Sequence, residues 1–372
     1  MKILYVTTIG ITMTFFKELI KQLLDEGHIV DILCNEETAC VPSCYREWNC
    51  RVFHHTCSRS PFSKSNIQAV KQIKDVVREN KYDIVHCHTP VASIFTRLAC
   101  RRLRKNGLKV FYTAHGFHFY KGAPLVNWLV YYPIEKLCSY FTDTLITINH
   151  EDYEFAQKHM KAKRVEYVPG VGIDVAKFRD TVIDRNLKRE ELGVPRDAFL
   201  LVSVGELNKN KNHEVVIRAL AKLNNKNIHY VIAGSGPLKQ CLLTLSEKLG
   251  VSDQVHLLGQ RNDVAEIYKA SDVCCFPSIR EGLPVSVMEA MASKLPIIAN
   301  LNRGTKDLLC DAKCGMLVRH NTVEDYSEKI AQILLDDIIR EEMGNGAQRI
   351  SVKYDHAIIV ESVKSLYVCS LF

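Results

Sequence analysis

Short β-branched runs alternate with helix-spaced apolar positions along nearly the whole chain, and this leaves few folds open. In the first half, strands are predicted at 3–7, 29–33, 83–87, 109–113, 143–148 and 164–168. Helical spacings such as Phe15-Leu19-Leu23 and Ile67-Val70-Ile73-Val77 lie between them. Such alternation builds parallel sheets covered on both faces. The rhythm breaks over 169–196, where Pro169-Gly170-Val171-Gly172, a charged stretch and Gly193-Val194-Pro195 read as a linker. It then restarts, with strands predicted at 199–204, 229–233, 255–258, 273–276, 296–299 and 316–318. Helices are predicted at 213–223, 238–249, 264–270, 285–292 and 323–335. The 372 residues therefore read as two doubly wound α/β halves, each able to bury its own core. Ligands of such sheets bind beyond the carboxyl ends of the strands, so two halves facing each other across a cleft would bind two substrates.

No run of about 18 apolar residues is present to span a bilayer. Met1-Lys2-Ile3-Leu4-Tyr5-Val6 enters a strand pattern directly, without a small-residue cleavage site, so no signal peptide is expected. The fourteen cysteines include no C-x2-C pair. Their closest spacings, Cys40-x3-Cys44, Cys310-x3-Cys314 and Cys274-Cys275, do not suit zinc, and reduced thiols in a cytoplasmic protein are expected. Charge is lopsided: residues 1–170 hold 23 basic and 16 acidic side chains, and the rest hold 26 of each. The densest basic cluster is Arg97, Arg101, Arg102, Arg104, Lys105 and Lys109. A basic face suits an anionic membrane surface, a phosphorylated substrate or nucleic acid, and equally a plain solvated helix. No nucleic-acid motif accompanies it, so nucleic-acid binding is not expected.

The segment Ser278-Ile279-Arg280-Glu281-Gly282-Leu283-Pro284-Val285-Ser286-Val287-Met288-Glu289 follows a predicted strand and opens a helix. Pro284 suits a helix start. The amides of Val285 and Ser286 then point out of the helix N-terminus, where an anion such as a diphosphate can sit. A carboxylate such as Glu289 suits ribose hydroxyls; taken alone, two glutamates on a helix are more often solvated. Gly234-x-Gly236 resembles half of a dinucleotide fingerprint, but Lys239 stands where its third glycine belongs, which argues against a dehydrogenase.

In its full context, Glu281-x7-Glu289 resembles the signature of the family-4, retaining, nucleotide-sugar-dependent glycosyltransferases of the two-domain GT-B fold. Several other segments agree in order. Ala233-Gly234-Ser235-Gly236-Pro237 resembles the family's glycine turn, and Leu258-Gly259-Gln260-Arg261-Asn262-Asp263 its loop beside the base. Tyr112-Thr113-Ala114-His115-Gly116-Phe117-His118 resembles the acceptor-domain histidine loop, and Tyr354-Asp355 with Tyr367 the final helix that returns to the first domain. The resemblance implies an acceptor domain over 1–175, completed by a helix at about 352–372, and a donor domain over 196–351. It implies catalytic roles for His115, Lys211 and Glu281. It places Gly10, Gly205, Gly234, Gly236, Arg261, Gly282, Leu283, Val285, Ser286 and Glu289 around the donor, with His118 and Lys121 on the acceptor side.

Two positions depart from the family pattern. Glu206 stands where an arginine usually clasps the diphosphate; either Lys209 or Arg261 supplies that charge, or Glu206 turns toward a sugar hydroxyl or the acceptor. Only Gly10 represents the glycine pair that many relatives carry after the first strand. No D-x-D pair is placed to bind a metal–diphosphate, so no metal or other cofactor is expected to be required. The implied reaction moves a sugar, with retention, from a UDP-sugar to a glycan or polyprenyl-diphosphate-linked acceptor in capsule or exopolysaccharide synthesis. The segment Ala114-His115-Gly116-Phe117-His118-Phe119-Tyr120-Lys121-Gly122-Ala123-Pro124 resembles bacterial enzymes of that kind, which places this one peripherally on the inner face of the plasma membrane. A nucleotide-sugar epimerase of the same architecture and a catalytically silent subunit are the alternatives.

Overall fold

The computed structural model describes residues 1–58, 60, 63–309 and 313–371. The chain divides into two compact units: Met1–Val171 together with the chain from His356 on, and Gly172–Asp355.

The first unit is a seven-stranded parallel sheet. Its strands are β1 (Lys2–Ile9), β2 (Ile29–Asn35), β3 (Val52–His54), β4 (Ile84–His88), β5 (Lys109–Ala114), β6 (Thr144–Thr147) and β7 (Arg164–Tyr167), in the order β3-β2-β1-β4-β5-β6-β7. Strand order reverses between β1 and β4, the switch point at which such sheets bind ligands. Side chains alternate between two cores. Leu4, Val6, Val85 and Cys87 pack with Ile73 and Val77 of the helix Ser65–Asn80 and with Ala92 of the helix Pro90–Cys100. Ile3, Tyr5, Ile84 and Phe111 pack with Leu19 and Leu23 of the helix Lys17–Asp25 and with Ile359, Val363 and Tyr367 of the helix His356–Leu371. Tyr5 and Tyr367 share a hydroxyl–hydroxyl hydrogen bond of 2.6 Å, which fastens this last helix to the sheet centre.

The second unit repeats the plan with β8 (Phe199–Val204), β9 (Ile228–Ala233), β10 (Val255–Gly259), β11 (Val273–Phe276), β12 (Ile297–Asn300) and β13 (Gly315–Val318), ordered β10-β9-β8-β11-β12-β13. Leu201, Tyr230, Ile232 and Cys275 pack beneath Val216 and Leu220 of the helix His213–Leu223 and Ile330 of the helix Val323–Leu334.

The expected linker is a correction. Residues 172–195 belong to the second unit and contain the helices Val175–Asp180 and Arg185–Glu191. The charge that suggested solvent exposure is engaged instead. Arg189 is 4% exposed and bonds the carbonyls of Ala270 (3.0 Å), Arg196 (2.7 Å) and Ala198 (2.8 Å) and the Asp272 carboxylate (2.7 Å). Removing one partner of a buried ion pair strands the other. Arg189→Ala is expected to cost roughly 3 kcal/mol, a fall in Tm of about 6–12 °C for a unit of this size. A melting curve that superimposes on wild type would contradict this.

The basic cluster is also corrected. Arg97 is not on a surface: it is 1% exposed, 2.8 Å from the Glu135 carboxylate and over the Tyr112 ring. Arg104 bonds Asp143 through two nitrogens at 2.8 Å each. Arg101, Arg102 and Lys105 are exposed. Cys87, Cys274 and Cys275 are free thiols buried as core side chains; Cys310 lies outside the described residues. No helix among the described residues is long and apolar enough to cross a membrane.

Candidate active site

In the second unit the loops after β8, β9 and β11 assemble around glycines that have no room for a side chain. A Cβ on Gly234 would lie 1.9 Å from the Gly205 carbonyl oxygen, and one on Gly236 would lie 2.6 Å from that of Leu207. The Gly234-x-Gly236 turn thus lets the Gly205–Leu207 backbone close over it, tied by Leu207 N–H to the Ser235 carbonyl at 3.0 Å. Gly205 meanwhile accommodates the Lys211 stem, whose Cε would be 3.2 Å from an added Cβ.

Lys211 is delivered to Glu281. Its Nζ is 2.7 Å from Glu281 Oε1, with both side chains mostly shielded from solvent, and it also lies over the Phe276 ring. Ser278 donates its hydroxyl to the same Glu281 oxygen. The loop that carries Glu281 is fastened from several sides. Asn210 gives its amide to the Arg280 carbonyl (3.0 Å), while Asn300 and Asn302 each donate to the Ser278 carbonyl at 3.0 Å. Arg303 Nε reaches the Glu281 carbonyl at 3.2 Å. Gly304 lies so close that a Cβ there would be 2.6 Å from the Gly282 oxygen. Sequence reasoning missed this set of Ser278, Asn210, Asn300, Asn302 and Arg303. They are spread over 94 positions of chain, from 210 to 303, and only the parallel sheet gathers them.

The helix Val285–Ala292 begins just after Pro284, which is its N-cap, so the Val285 and Ser286 amides lie in its first turn and Gly282 and Leu283 immediately precede it. Leu283 itself is buried. Glu289 follows one turn in, half-buried and with no hydrogen-bond partner among the described residues. Burial pushes its carboxyl up to about 7, opposed only by the attraction of Lys177.

The candidates for the missing arginine separate clearly. Arg261 is already committed to Asp263 (2.6 Å) and Glu191, within a network that also holds Lys188. Lys209 is exposed and makes no ion pair among the described residues. Glu206 is exposed and accepts the Asn208 amide at 2.9 Å.

In the first unit, His115 stands at the end of β5, shielded by its surroundings, and burial lowers its pKa to about 4. Its Nε2 is 3.1 Å from His88 Nδ1. His118 stacks on Tyr131 with centroids 4.6 Å apart and lines a cavity of about 290 Å³ with Thr8, Thr12 and Thr89 at the switch point. Lys121 is exposed beside Tyr120 and Trp128. Gly10 has a packing reason for being glycine: a Cβ would meet the Val41 nitrogen at 2.5 Å and the Ala39 oxygen at 2.6 Å. His86 and His88, absent from the sequence-derived site, sit beside His115 on the neighbouring strand.

This geometry has a family. Residues 2–149 match the family model described as glycosyl transferase 4-like, and 184–350 match that of glycosyl transferases group 1. EpsD of Bacillus subtilis, which its name assigns to the glycosyltransferases, is 40% identical over 313 residues, covering 83% of this chain and 82% of EpsD. The chain belongs to the group 1 glycosyltransferases. A second relative of this glycosyltransferase is the UDP-Gal:alpha-D-GlcNAc-diphosphoundecaprenol alpha-1,3-galactosyltransferase of Escherichia coli. It is 29% identical over 318 residues, covering 82% of this chain and 81% of its own. Among solved structures, Anabaena HepE in complex with UDP superimposes with a TM-score of 0.82 at 18% identity, covering 99% of this chain and all of HepE. The glycosyltransferase therefore has the GT-B fold, two parallel-sheet α/β domains of seven and six strands.

Proposed function

We propose that this glycosyltransferase moves a sugar from a UDP-sugar to a polyprenyl-diphosphate-linked glycan, with retention at the anomeric carbon and without a required metal. The observation that carries the donor assignment is the convergence of one cation, one carboxylate and a helix N-terminus in the loops after β8 and β11. Lys211 and the Val285 and Ser286 amides meet the diphosphate as it departs, with no reorganisation needed during reaction. Glu281, oriented by Lys211 and Ser278, accepts from donor-sugar hydroxyls. Glu289, whose carboxylate has no protein partner among the described residues, takes the ribose hydroxyls. Of the two cations considered for the second phosphate charge, Lys209 has its charge free. The transition state carries oxocarbenium character, and the chain's task is to hold the acceptor hydroxyl on the face that the leaving group occupies. His115 lines this reaction centre as a neutral imidazole.

The relatives named for UDP and for diphosphoundecaprenol substrates support the donor and acceptor classes. The exposed Arg101, Arg102 and Lys105 fit work on a lipid-linked glycan at an anionic membrane surface, where each basic residue is worth about 1 kcal/mol. The test is transfer from a panel of UDP-sugars to undecaprenyl-diphosphate-linked sugar on vesicles, with EDTA present. Product formation in EDTA supports the reading. Turnover restored only by added divalent metal refutes the metal-free part, and sedimentation without binding to anionic vesicles refutes the membrane part.

A further inference from the structure

β4 ends in His86-Cys87-His88, and strand alternation puts both histidines on one face of the sheet. His86 is held at both nitrogens: Nδ1 meets the Tyr367 hydroxyl at 2.5 Å and Nε2 meets the Thr113 hydroxyl at 2.8 Å. His88 is held at one. Its ring, 2% exposed, lies 4.1 Å from that of His86 and 4.2 Å from that of Phe16, centroid to centroid. Its Nδ1 faces His115 Nε2 at 3.1 Å, while its own Nε2 is buried without a hydrogen-bond partner among the described residues.

We propose that His88 is a positioning residue that fixes His115 in the tautomer with its proton on Nδ1, so that His115 offers a donor from that nitrogen. Burial lowers the pKa of both rings and keeps them neutral near pH 7, so one N–H lies between Nδ1 of His88 and Nε2 of His115. If His115 supplied that proton, the proton of His88 would sit on Nε2 as a buried N–H with no acceptor. No described atom accepts from that nitrogen: the space beside the ring is walled on one side by Phe16, Leu19, Ile359 and Val360, and Glu18 and His356, which also line it, make no hydrogen bond to the ring. If His88 supplies it, Nε2 keeps only a lone pair, and His115 carries its proton on Nδ1. An orphaned buried N–H is the rarer and costlier of the two defects, so the second arrangement prevails. His115 then reaches substrate as a hydrogen-bond donor. This inference rests on the reading that His115 lines the reaction centre.

The tautomer is read by long-range proton–nitrogen NMR on protein labelled with ring-15N histidine, with signals assigned through His88 and His115 variants. Wild type is expected to show His115 with a protonated Nδ1 and a bare Nε2. In His88→Phe, which keeps an aromatic ring, His115 is expected to lose this preference, and kcat to fall about tenfold or more with KM little changed. His88→Gln, whose side-chain amide can donate to His115 Nε2, is expected to restore the tautomer and part of the rate. A wild-type His115 protonated on Nε2 overturns the proposal even if His88→Phe does not fold. His115→Ala with undiminished transfer would instead overturn the reading on which it rests.

Discussion

Lys211→Ala is expected to lower kcat by about 10²–10³-fold, the usual cost of removing one charge or donor that meets developing negative charge in a dry site. The structure gives that lysine no easy substitute. Its stem lies against Gly205, its ammonium sits over the Phe276 ring, and Nζ bonds Glu281 at 2.7 Å. Arg261 is held by Asp263 and Glu191, and the exposed Lys209 is the one proposed for the second phosphate charge, so it is not spare. On the proposed reading, removing Lys211 also leaves Glu281 beside the diphosphate with only the Ser278 hydroxyl for company, so the loss would include a new repulsion. Glu281→Gln in the same background removes that repulsion and should recover part of the rate. A Lys211→Ala enzyme within about threefold of wild type would remove Lys211 from the donor site.

Glu289→Gln is expected to weaken nucleotide binding and, at the same time, to stabilise the free enzyme above neutral pH. Burial raises the Glu289 pKa from its ordinary value to about 7 in the folded chain. A group protonated more readily when folded favours the folded state at low pH, and that advantage is lost between about 4.5 and 7 as the unfolded chain, then the folded one, ionises. At pH 8 the wild type therefore holds a buried charge that glutamine does not, and the variant should melt several degrees higher, for roughly 2–3 kcal/mol. At pH 5 the two should nearly coincide. If ribose hydroxyls donate to the ionised carboxylate as proposed, a UDP-sugar should bind with release of a proton. Its affinity should fall towards tenfold per pH unit below about 7, and this slope should vanish in Glu289→Gln. Calorimetry showing the same slope in both proteins would exclude Glu289 from the donor site.

Regular, apolar periodicity made most of the fold legible. The predicted strands 199–204 and 273–276 and helices 213–223, 264–270 and 285–292 coincide with the observed ones because nothing but burial competes there. Where polar side chains carry the packing, the pattern was opaque. Arg189 and Lys188 make a charged stretch look solvated, yet their partners Asp272 and Asp263 lie more than 70 positions on. Arg97 hides in the same way against Glu135. β3 (Val52–His54) is three residues at a sheet edge, too short to show a period.

The candidate site divides along the same line. Glu281, Glu289 and Lys211 stood out because their local context is distinctive, whereas Ser278, Asn300, Asn302 and Arg303 become meaningful only through hydrogen bonds to one loop. His86-x-His88 went unread, because the predicted strand stopped at 87 and left His88 outside it. It also lacked a partner, and His115 becomes that partner only once β4 and β5 are known to be neighbours. Gly10 has a second reason to be glycine that the sequence did not show, its close packing against the Ala39–Val41 loop.

The most direct measurement is the anomeric configuration of the product. The enzyme is incubated in EDTA with UDP-sugars and undecaprenyl-diphosphate-linked acceptor, and the new linkage is read by NMR from its anomeric coupling. The account predicts a linkage of the same configuration as the donor, formed from a UDP-sugar and lost in Lys211→Ala. An inverted linkage, or transfer that survives the loss of both Lys211 and Glu289, would contradict it.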